Sequence, residues 1–462
     1  METKRKNDGK FSQSLTFKAM IIIVLTLLML IPNMMIQNLI LERKERSLEA
    51  INRINEKWSQ AQTVCGPILT IPYITTGLDK DKKAWTQQHE IHITPENLNI
   101  SAQLYPEERH YGIYKTILYK SEIHIDGQFA ALNKLKIDNS TVQFDKAYLS
   151  LQISDLQGVT NQLVFHVNNQ SYTAEIGTQA NPRSMSLIVN LKDLIRPASE
   201  EPLHYECNLH LNGSGDLNFV PIGNMSKAEI EGAWKSPGFI GSFSPEYTLG
   251  DTSFTAKWSI LSFNRNIPEK WNDNEVGYFD QASFGVNLVD VVDQYQQNMR
   301  SAKYSLMFIV LTFAVFFFVE VLTKKRIHPI QYLLVGIALI LFYSLLLSLS
   351  EQINFAIAYL IASIATIALI AAYSSSIFQN RLQTGMLSLM LVILYVFLYV
   401  ILQLEDVALL IGSIGLFVIL GIIMYFSRKI NWYRPEENEE NENEEDSGEN
   451  EIEEQFPDAE WK

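Results

Sequence analysis

Apolar positions along this 462-residue chain fall into two patterns. The first is the unbroken run. Six blocks, at 19–41, 304–323, 330–349, 355–377, 384–404 and 407–427, are each long and apolar enough to predict a helix across a bilayer, whose hydrocarbon core of about 30 Å takes roughly 20 residues. The second is alternation with a period of two, confined to the segment between the first two blocks. It is seen in Glu90-Ile-His-Ile-Thr94, Ser121-Glu-Ile-His-Ile125, Tyr148-Leu-Ser-Leu-Gln-Ile153 and Gln162-Leu-Val-Phe-His-Val167. With turns such as Asp126-Gly127, Asn212-Gly213 and Pro237-Gly238 between such runs, this pattern predicts antiparallel strands with one wet face.

The expected fold class is therefore a multi-span α-helical membrane protein of six transmembrane helices. A large β-rich extracytoplasmic domain, a sandwich or open barrel, is inserted between helices 1 and 2. Where that domain begins, Leu48, Ile51, Ile54 and Trp58 recur at helical spacing, and Glu42 to Arg46 and Glu49 to Arg53 are i, i+4 ion pairs. The first membrane helix is expected to continue outward as an amphipathic stalk. A second short helix is expected over 290–302, leading into the second span.

Basic residues set the orientation, because Lys and Arg in short flanking loops stay on the cytoplasmic side. Lys4, Arg5, Lys6, Lys10 and Lys18 precede the first span; Lys324, Lys325 and Arg326 follow the second; Arg381 separates the fourth and fifth; Arg428 and Lys429 follow the sixth. The opposite turns carry Glu351, Glu405 and Asp406 and no Lys or Arg. Both termini are thus expected in the cytoplasm. The predicted organisation is a basic N-terminus at 1–18, a first span at 19–41, a periplasmic domain at 42–303, spans 2 to 6 at 304–427 and a tail at 428–462. Met34, Met35 and Ile36 end the first apolar run where a cleavage site needs small residues, so that run reads as an uncleaved anchor, with Pro32 as a point where it can kink.

Charge changes this picture little. From Glu436 onward there are 14 acidic residues against the single Lys462, so all but one unit of the net charge of -14 lies in a tail too polar to fold alone. The remainder is nearly neutral and offers no basic stripe for nucleic acid. Cys65 and Cys207 both fall in the segment assigned to the oxidising side, where a disulfide and a pair of buried free thiols are both open.

Candidate chemistry is sparse. There is no His-Glu-x-x-His, no phosphate-binding Gly-x-x-x-x-Gly-Lys, and no ligand spacing among the seven histidines of the β-rich segment; His89 and His92 would face opposite ways on a strand. Glu107-Glu108 and Glu200-Glu201 read as solvated loop residues. No catalytic residue, cofactor or metal ligand is assigned. Ionisable and polar residues inside or at the ends of membrane helices are the functional candidates by default. These are Glu320, His328, Gln331, Tyr343, Ser344, Ser348 and Glu351. Glu320 lies near the end of its span beside Lys324, where reaching the interface is the plainer role. Ser344 and Ser348 share a helix face and read either as a small-residue packing seam or as a polar track ending at Glu351.

One stretch carries a resemblance. His328-Pro-Ile-Gln-Tyr-Leu-Leu-Val-Gly336, with Phe342-Tyr343 and Leu346-Leu-Ser-Leu-Ser-Glu351, resembles the signature of the CreD family of inner-membrane proteins, also called cell envelope integrity proteins. The likeness extends to Gly66-Pro-Ile-Leu-Thr-Ile-Pro-Tyr73, Gly112-Ile-Tyr114, Trp234, Ser236-Pro-Gly-Phe239, Ala256-Lys-Trp258, Asn264-Arg265, Phe284-Gly-Val286 and Tyr295. It implies a cytoplasmic-membrane protein of Gram-negative bacteria whose production is linked to the Cre two-component system and to envelope stress, including tolerance of colicins or cell-wall antibiotics. It implies no reaction.

The expectation is a non-enzymatic envelope-maintenance protein whose partners are the lipid bilayer and a periplasmic envelope component, with no nucleic acid. The alternative is a small transporter or lipid translocator using the polar face of the third span. The sequence leaves the ligand and the oligomeric state open.

Overall fold

A computed structural model of the chain describes residues 15–78, 84–135, 137, 140–177, 185–192, 201–272, 282–288, 294–323, 327–403 and 408–428. The basic residues before Leu15, the cluster Lys324 to Arg326, the turn holding Glu405 and Asp406, and the acidic tail lie outside these residues. The chain divides into two compact units, Met1–Lys44 with Asp293–Lys462, and Glu45–Val292.

The first unit is helical. Its elements are α1 (Leu15–Leu28), α2 (Leu30–Trp58, which runs on into the second unit), α3 (Gln294–Lys303), α4 (Ser305–Thr323), α5 (Pro329–Ser350), α6 (Phe355–Phe378), α7 (Arg381–Gln403) and α8 (Ala408–Ser427). The break between α1 and α2 falls at Met29. It follows from Pro32, whose ring nitrogen has no proton to donate to the carbonyl of Leu28 one turn earlier. The helical extension expected beyond the first apolar run is present, since α2 is helical to Trp58, but Leu48 of its expected apolar face is exposed while Ser47 and Ala50 are buried.

Among the described residues four helices are long and apolar enough to cross a membrane: Phe17–Trp58, Pro329–Ser350, Phe355–Phe378 and Arg381–Gln403. The pair Gln294–Lys303 and Ser305–Val321, bent by 40°, makes a fifth if it counts as one span. Helix ends are made by local chemistry. Pro329 opens α5, where a missing N–H costs nothing. Asn354 accepts from the Ala356 N–H at 2.9 Å to cap α6, and Gln379 closes that helix in the left-handed region at φ 50°. The bundle buries two apolar clusters. One holds Phe308, Phe342, Tyr343, Tyr359 and Tyr395; the other holds Met29, Phe313, Phe316, Tyr332 and Phe378.

The second unit is built from strands. In chain order they are β1 (Gln62–Leu78), β2 (Ala84–Ile93), β3 (Asn97–Tyr111), β4 (Tyr114–Phe129), β5 (Ser140–Val142), β6 (Tyr148–Ile153), β7 (Val164–Val167), β8 (Gln170–Thr173), β9 (Glu175–Gly177), β10 (Met185–Asn190), β11 (Leu203–Ser214), β12 (Asp216–Phe219), β13 (Met225–Gly232), β14 (Gly238–Gly241), β15 (Glu246–Leu249), β16 (Phe254–Leu261), β17 (Lys270–Asn272) and β18 (Phe284–Asn287). One sheet runs β14-β18-β12-β1-β6-β10-β9, with β2 and β5 also on β1 and β17 on β2. The other runs β15-β16-β13-β3-β4-β11-β7-β8.

Strand β11 shows why these segments form sheets. Leu203, Tyr205, Cys207, Leu209 and Leu211 point inward and are buried, while His204, Glu206, Asn208 and His210 between them face water. Both sheets contribute such faces to a single apolar core, which includes Leu69, Leu149 and Phe219 from one and Ile125, Leu209 and Ala256 from the other. Two pairings, β1 with β12 and β13 with β3, are parallel, unlike the all-antiparallel expectation. Their partners are distant in sequence, so long crossovers are available to them. Glu107 and Glu108 lie on β3 rather than in a loop, and pair with Arg109 at 2.8 Å and His110 at 3.3 Å respectively. Cys65 and Cys207 are free and buried, and burial pushes the Cys207 thiol well above its ordinary value.

Candidate functional site

Two of the candidate residues, Glu320 and Glu351, centre polar nodes at opposite ends of α5. The first is centred on Glu320, near the end of α4. Its Oε1 accepts from Lys18 Nζ at 2.9 Å and from the Ile327 N–H at 3.1 Å, and its Oε2 accepts from the Tyr332 hydroxyl at 3.0 Å. The residue is 5% exposed. A carboxylate removed from water this far is tolerated because a cation and two further donors compensate for lost hydration. It is therefore held inside the bundle by the first helix rather than reaching outward beside Lys324, which lies outside the described residues.

His328 and Gln331 belong to the same end but do not join that carboxylate. Gln331 Oε1 accepts from the His328 N–H at 3.0 Å, and His328 Nδ1 accepts from the Ile330 N–H at 3.3 Å. The two side chains satisfy amides that the start of α5 would otherwise leave open.

At the other end of α5, Glu351 Oε1 accepts from the Tyr295 hydroxyl at 3.3 Å, and its Oε2 lies 4.0 Å from Arg43 Nη1. Beside it Asn298 Nδ2 donates to Ser350 Oγ at 2.8 Å, and Ser350 Oγ donates to the Leu347 carbonyl at 3.0 Å. Tyr332 and Ser350 are 18 residues apart on one helix, about 27 Å along its axis. That is close to the thickness of a hydrocarbon core.

Between the nodes, Tyr343 is buried against Phe342, with ring centroids 4.9 Å apart. Ser344 is half-buried and Ser348 is exposed, so neither joins a node and the pair is not a buried seam. The buried serine of this helix is Ser350, which sequence reasoning did not single out. It also passed over Lys18, Asn33, Tyr295 as a partner, Asn298 and Ser305. The Ser305 hydroxyl donates to Asn33 Oδ1 at 2.6 Å, with both residues buried. Asn33 did carry a signal, because a lone amide inside an apolar run needs a partner in the bundle.

In the β unit, several residues that carry the resemblance meet at one side of the core. Phe239 lies tilted against Tyr247 at 4.8 Å and edge-on to Trp258 at 6.2 Å, Trp258 approaches Phe284 at 5.1 Å, and Trp258 Nε1 donates to the Phe243 carbonyl at 3.0 Å. Arg265 is buried and donates to the carbonyls of Gly223 and Ile267 at 3.1 and 2.6 Å, so it braces a loop. Asp155 ties the end of the stalk down: its carboxylate accepts from the Ser59 hydroxyl at 2.8 Å and from the N–H groups of Gln60 and Gln157 at 3.0 Å each. Burial alone would raise its pKa, but the three hydrogen bonds outweigh it and hold the group below the usual carboxylate value. Among the described residues no three His, Cys, Asp or Glu side chains are grouped to hold a metal.

Membrane-length apolar helices joined to a large β-rich unit define a multi-span membrane protein with a folded domain. Residues 14–433 match the family described as Inner membrane protein CreD, and the chain belongs to that family. It is 30% identical over 412 residues to Inner membrane protein CreD of Escherichia coli (strain K12), covering 88% of this chain and 91% of the relative. Among solved structures it is similar, at 7% identity, to an M1 zinc metallopeptidase from Deinococcus radiodurans (TM-score 0.20, 46% of this chain and 53% of that one). The native yeast LTA4 hydrolase is likewise 7% identical (TM-score 0.19, 48% and 35%). Likenesses at these TM-scores carry no argument about fold or activity.

Proposed function

We propose that this chain maintains the integrity of the cell envelope without catalysing a reaction. In this reading a six-span bundle sits in the inner membrane with both termini in the cytoplasm. The β-rich domain lies on the periplasmic side and binds an envelope component, which contributes to tolerance of envelope stress, colicins or cell-wall antibiotics. Family membership supports the inner membrane, and the one-sided distribution of Lys and Arg supports the orientation.

The observation that carries the reading is that the polar groups of the bundle are held by fixed partners. Glu320 is tied to Lys18 and Tyr332, Glu351 to Tyr295, Ser350 to Asn298, and Asn33 to Ser305. A transport path needs polar groups that exchange partners with a moving cargo. Groups already matched across helices favour a scaffold over the transporter or lipid translocator.

The β-rich domain, in contrast, displays large apolar side chains to solvent, including Phe263 at 96% and Tyr247 at 56% exposure. Aromatic side chains in such positions are natural anchors for a partner. The test is dye permeability under envelope stress in a strain lacking this protein, complemented with the full chain carrying Tyr247→Ser and Phe263→Ser. The expected result is a leaky envelope at normal protein level; a fully restored barrier would remove the docking role.

A further inference from the structure

We propose that the connection between α6 and α7 is a binding site for the headgroup of a phospholipid that carries its own O–H or N–H donors. A cavity of about 500 Å³ opens there, walled by Ser375, Gln379, Asn380, Arg381, Thr384, Gly385 and Ser388. Arg381 brings a positive charge to its rim, and among the described residues it has no ion-pair partner and no Asp or Glu lines the cavity with it. A guanidinium presents a planar fork of donors that matches a phosphodiester.

The hydroxyls of the wall have the opposite polarity, while the amides of Gln379 and Asn380 add donors beside them. Ser375, Thr384 and Ser388 each donate their hydroxyl proton to a carbonyl of their own helix or its cap, at Ala372, Asn380 and Thr384. Their oxygens therefore face the space as acceptors. The helix end is not the attraction, because Asn380 Oδ1 already accepts from the Leu382 N–H at 3.0 Å. A guanidinium and amide donors for the phosphodiester, beside three hydroxyl acceptors for the headgroup, fit a lipid whose headgroup also donates, as in glycerol or ethanolamine lipids. It fits a headgroup without donors, such as choline, poorly.

Two further observations favour a lipid over a free anion. Leu382, Met386, Leu389 and Ile393 are all exposed and follow one another at helical spacing along α7 from the cavity mouth, giving an acyl chain a track beside its own headgroup. The end of the bundle also matches. Phe316 packs on both Tyr332 and Phe378, so this cavity lies at the same end as the Glu320 node, the end where the sequence places the basic flanks Lys324 to Arg326 that favour anionic lipid.

The site offers a substitution that does not disturb the fold. A Cβ at Gly385 would meet nothing within 4 Å. Gly385→Leu therefore fills the cavity from its wall, and Arg381→Gln removes the charge. The experiment is the thermal unfolding midpoint of the full-length protein in detergent, with added phosphatidylglycerol, phosphatidylethanolamine, phosphatidylcholine or inorganic phosphate. The expected result is a raised midpoint with the first two and none with the last two. Both variants should lose the rise relative to their own lipid-free midpoints, which Arg381→Gln leaves in place and Gly385→Leu raises slightly by removing a glycine from the helix. An equal rise with phosphatidylcholine, a rise with inorganic phosphate alone, or a rise that survives in both variants would each overturn the proposal.

Discussion

The Tyr332 hydroxyl donates to Oε2 of Glu320 at 3.0 Å and completes the partners of a carboxylate buried in a membrane bundle. With Lys18 on Oε1, three helices are joined at one atom group. The consequence is a lock whose loss is felt as stability. Glu320→Ala is expected to lower the unfolding free energy by about 1–3 kcal/mol, less than the roughly 3–5 kcal/mol for a fully buried pair, because Lys18 can turn its ammonium to water. Thermal unfolding in detergent of the single variants and of Lys18→Met with Glu320→Ala checks this. Strict additivity of the two would mean that the pair is not coupled.

At the other end of α5, Asn298 and Ser350 meet through one hydrogen bond. Bonds of this kind in membrane bundles are worth about 0.6 kcal/mol on average and up to about 1.7. Asn298→Ala and Ser350→Ala are expected to couple within that range in a double-mutant cycle read from unfolding midpoints.

In the β-rich unit, Gly213 leaves room for the ring of Tyr119: a Cβ there would overlap its hydroxyl oxygen. That hydroxyl donates to the Asp216 carbonyl at 2.7 Å, and the ring is fully buried. Gly213→Ala must displace it, at a cost of about 1–3 kcal/mol from overpacking, more where the hydrogen bond also breaks. The measurement is a denaturant midpoint followed by tryptophan fluorescence, and an unshifted midpoint would contradict this packing.

Asp155 predicts a pH dependence of definite sign. Its pKa is depressed in the folded state, so the unfolded chain takes up the proton first as pH falls. Its stabilising contribution is fully present above the unfolded value, about 3.9, and is lost as pH drops through the lower folded value. Asp155→Asn is expected to reduce stability at neutral pH and to flatten the acid limb of the curve. Asp216 acts in the opposite sense: burial raises its pKa, partly offset by a hydrogen bond from Asn287, so it costs stability at neutral pH. Comparing wild type with Asp155→Asn alone separates the two.

How far the sequence revealed this structure depended on the length scale of each signal. The helix to Trp58 and the strands β2, β4, β6 and β7 were legible because apolar residues repeat along one element, at helical spacing or every second residue. The parallel pairings of β1 with β12 and β13 with β3 were not, because they join segments with no local mark of one another. Of the candidate polar residues, Glu320 and Glu351 stood out as charges in or beside apolar runs, but their partners Lys18, Tyr332 and Tyr295 come from other helices. Ser350 and Asn298 were passed over for the same reason, since a serine at a helix end looks like any other until the neighbouring helix is in place.

If the polar side chains of α5 hold the bundle together and do not form a path, then removing the functional groups of a path should leave the barrier intact. The most direct test is the full chain with Tyr343→Phe, Ser348→Ala and Glu351→Gln together, complementing a strain that lacks the protein, with dye permeability measured under envelope stress at matched protein levels. The change Glu351→Gln keeps an oxygen for the Tyr295 hydroxyl, and the expected result is a barrier equal to that of the unaltered chain. A leaky envelope with the variant present in the membrane at normal amount would contradict the scaffold role and assign those groups a moving cargo.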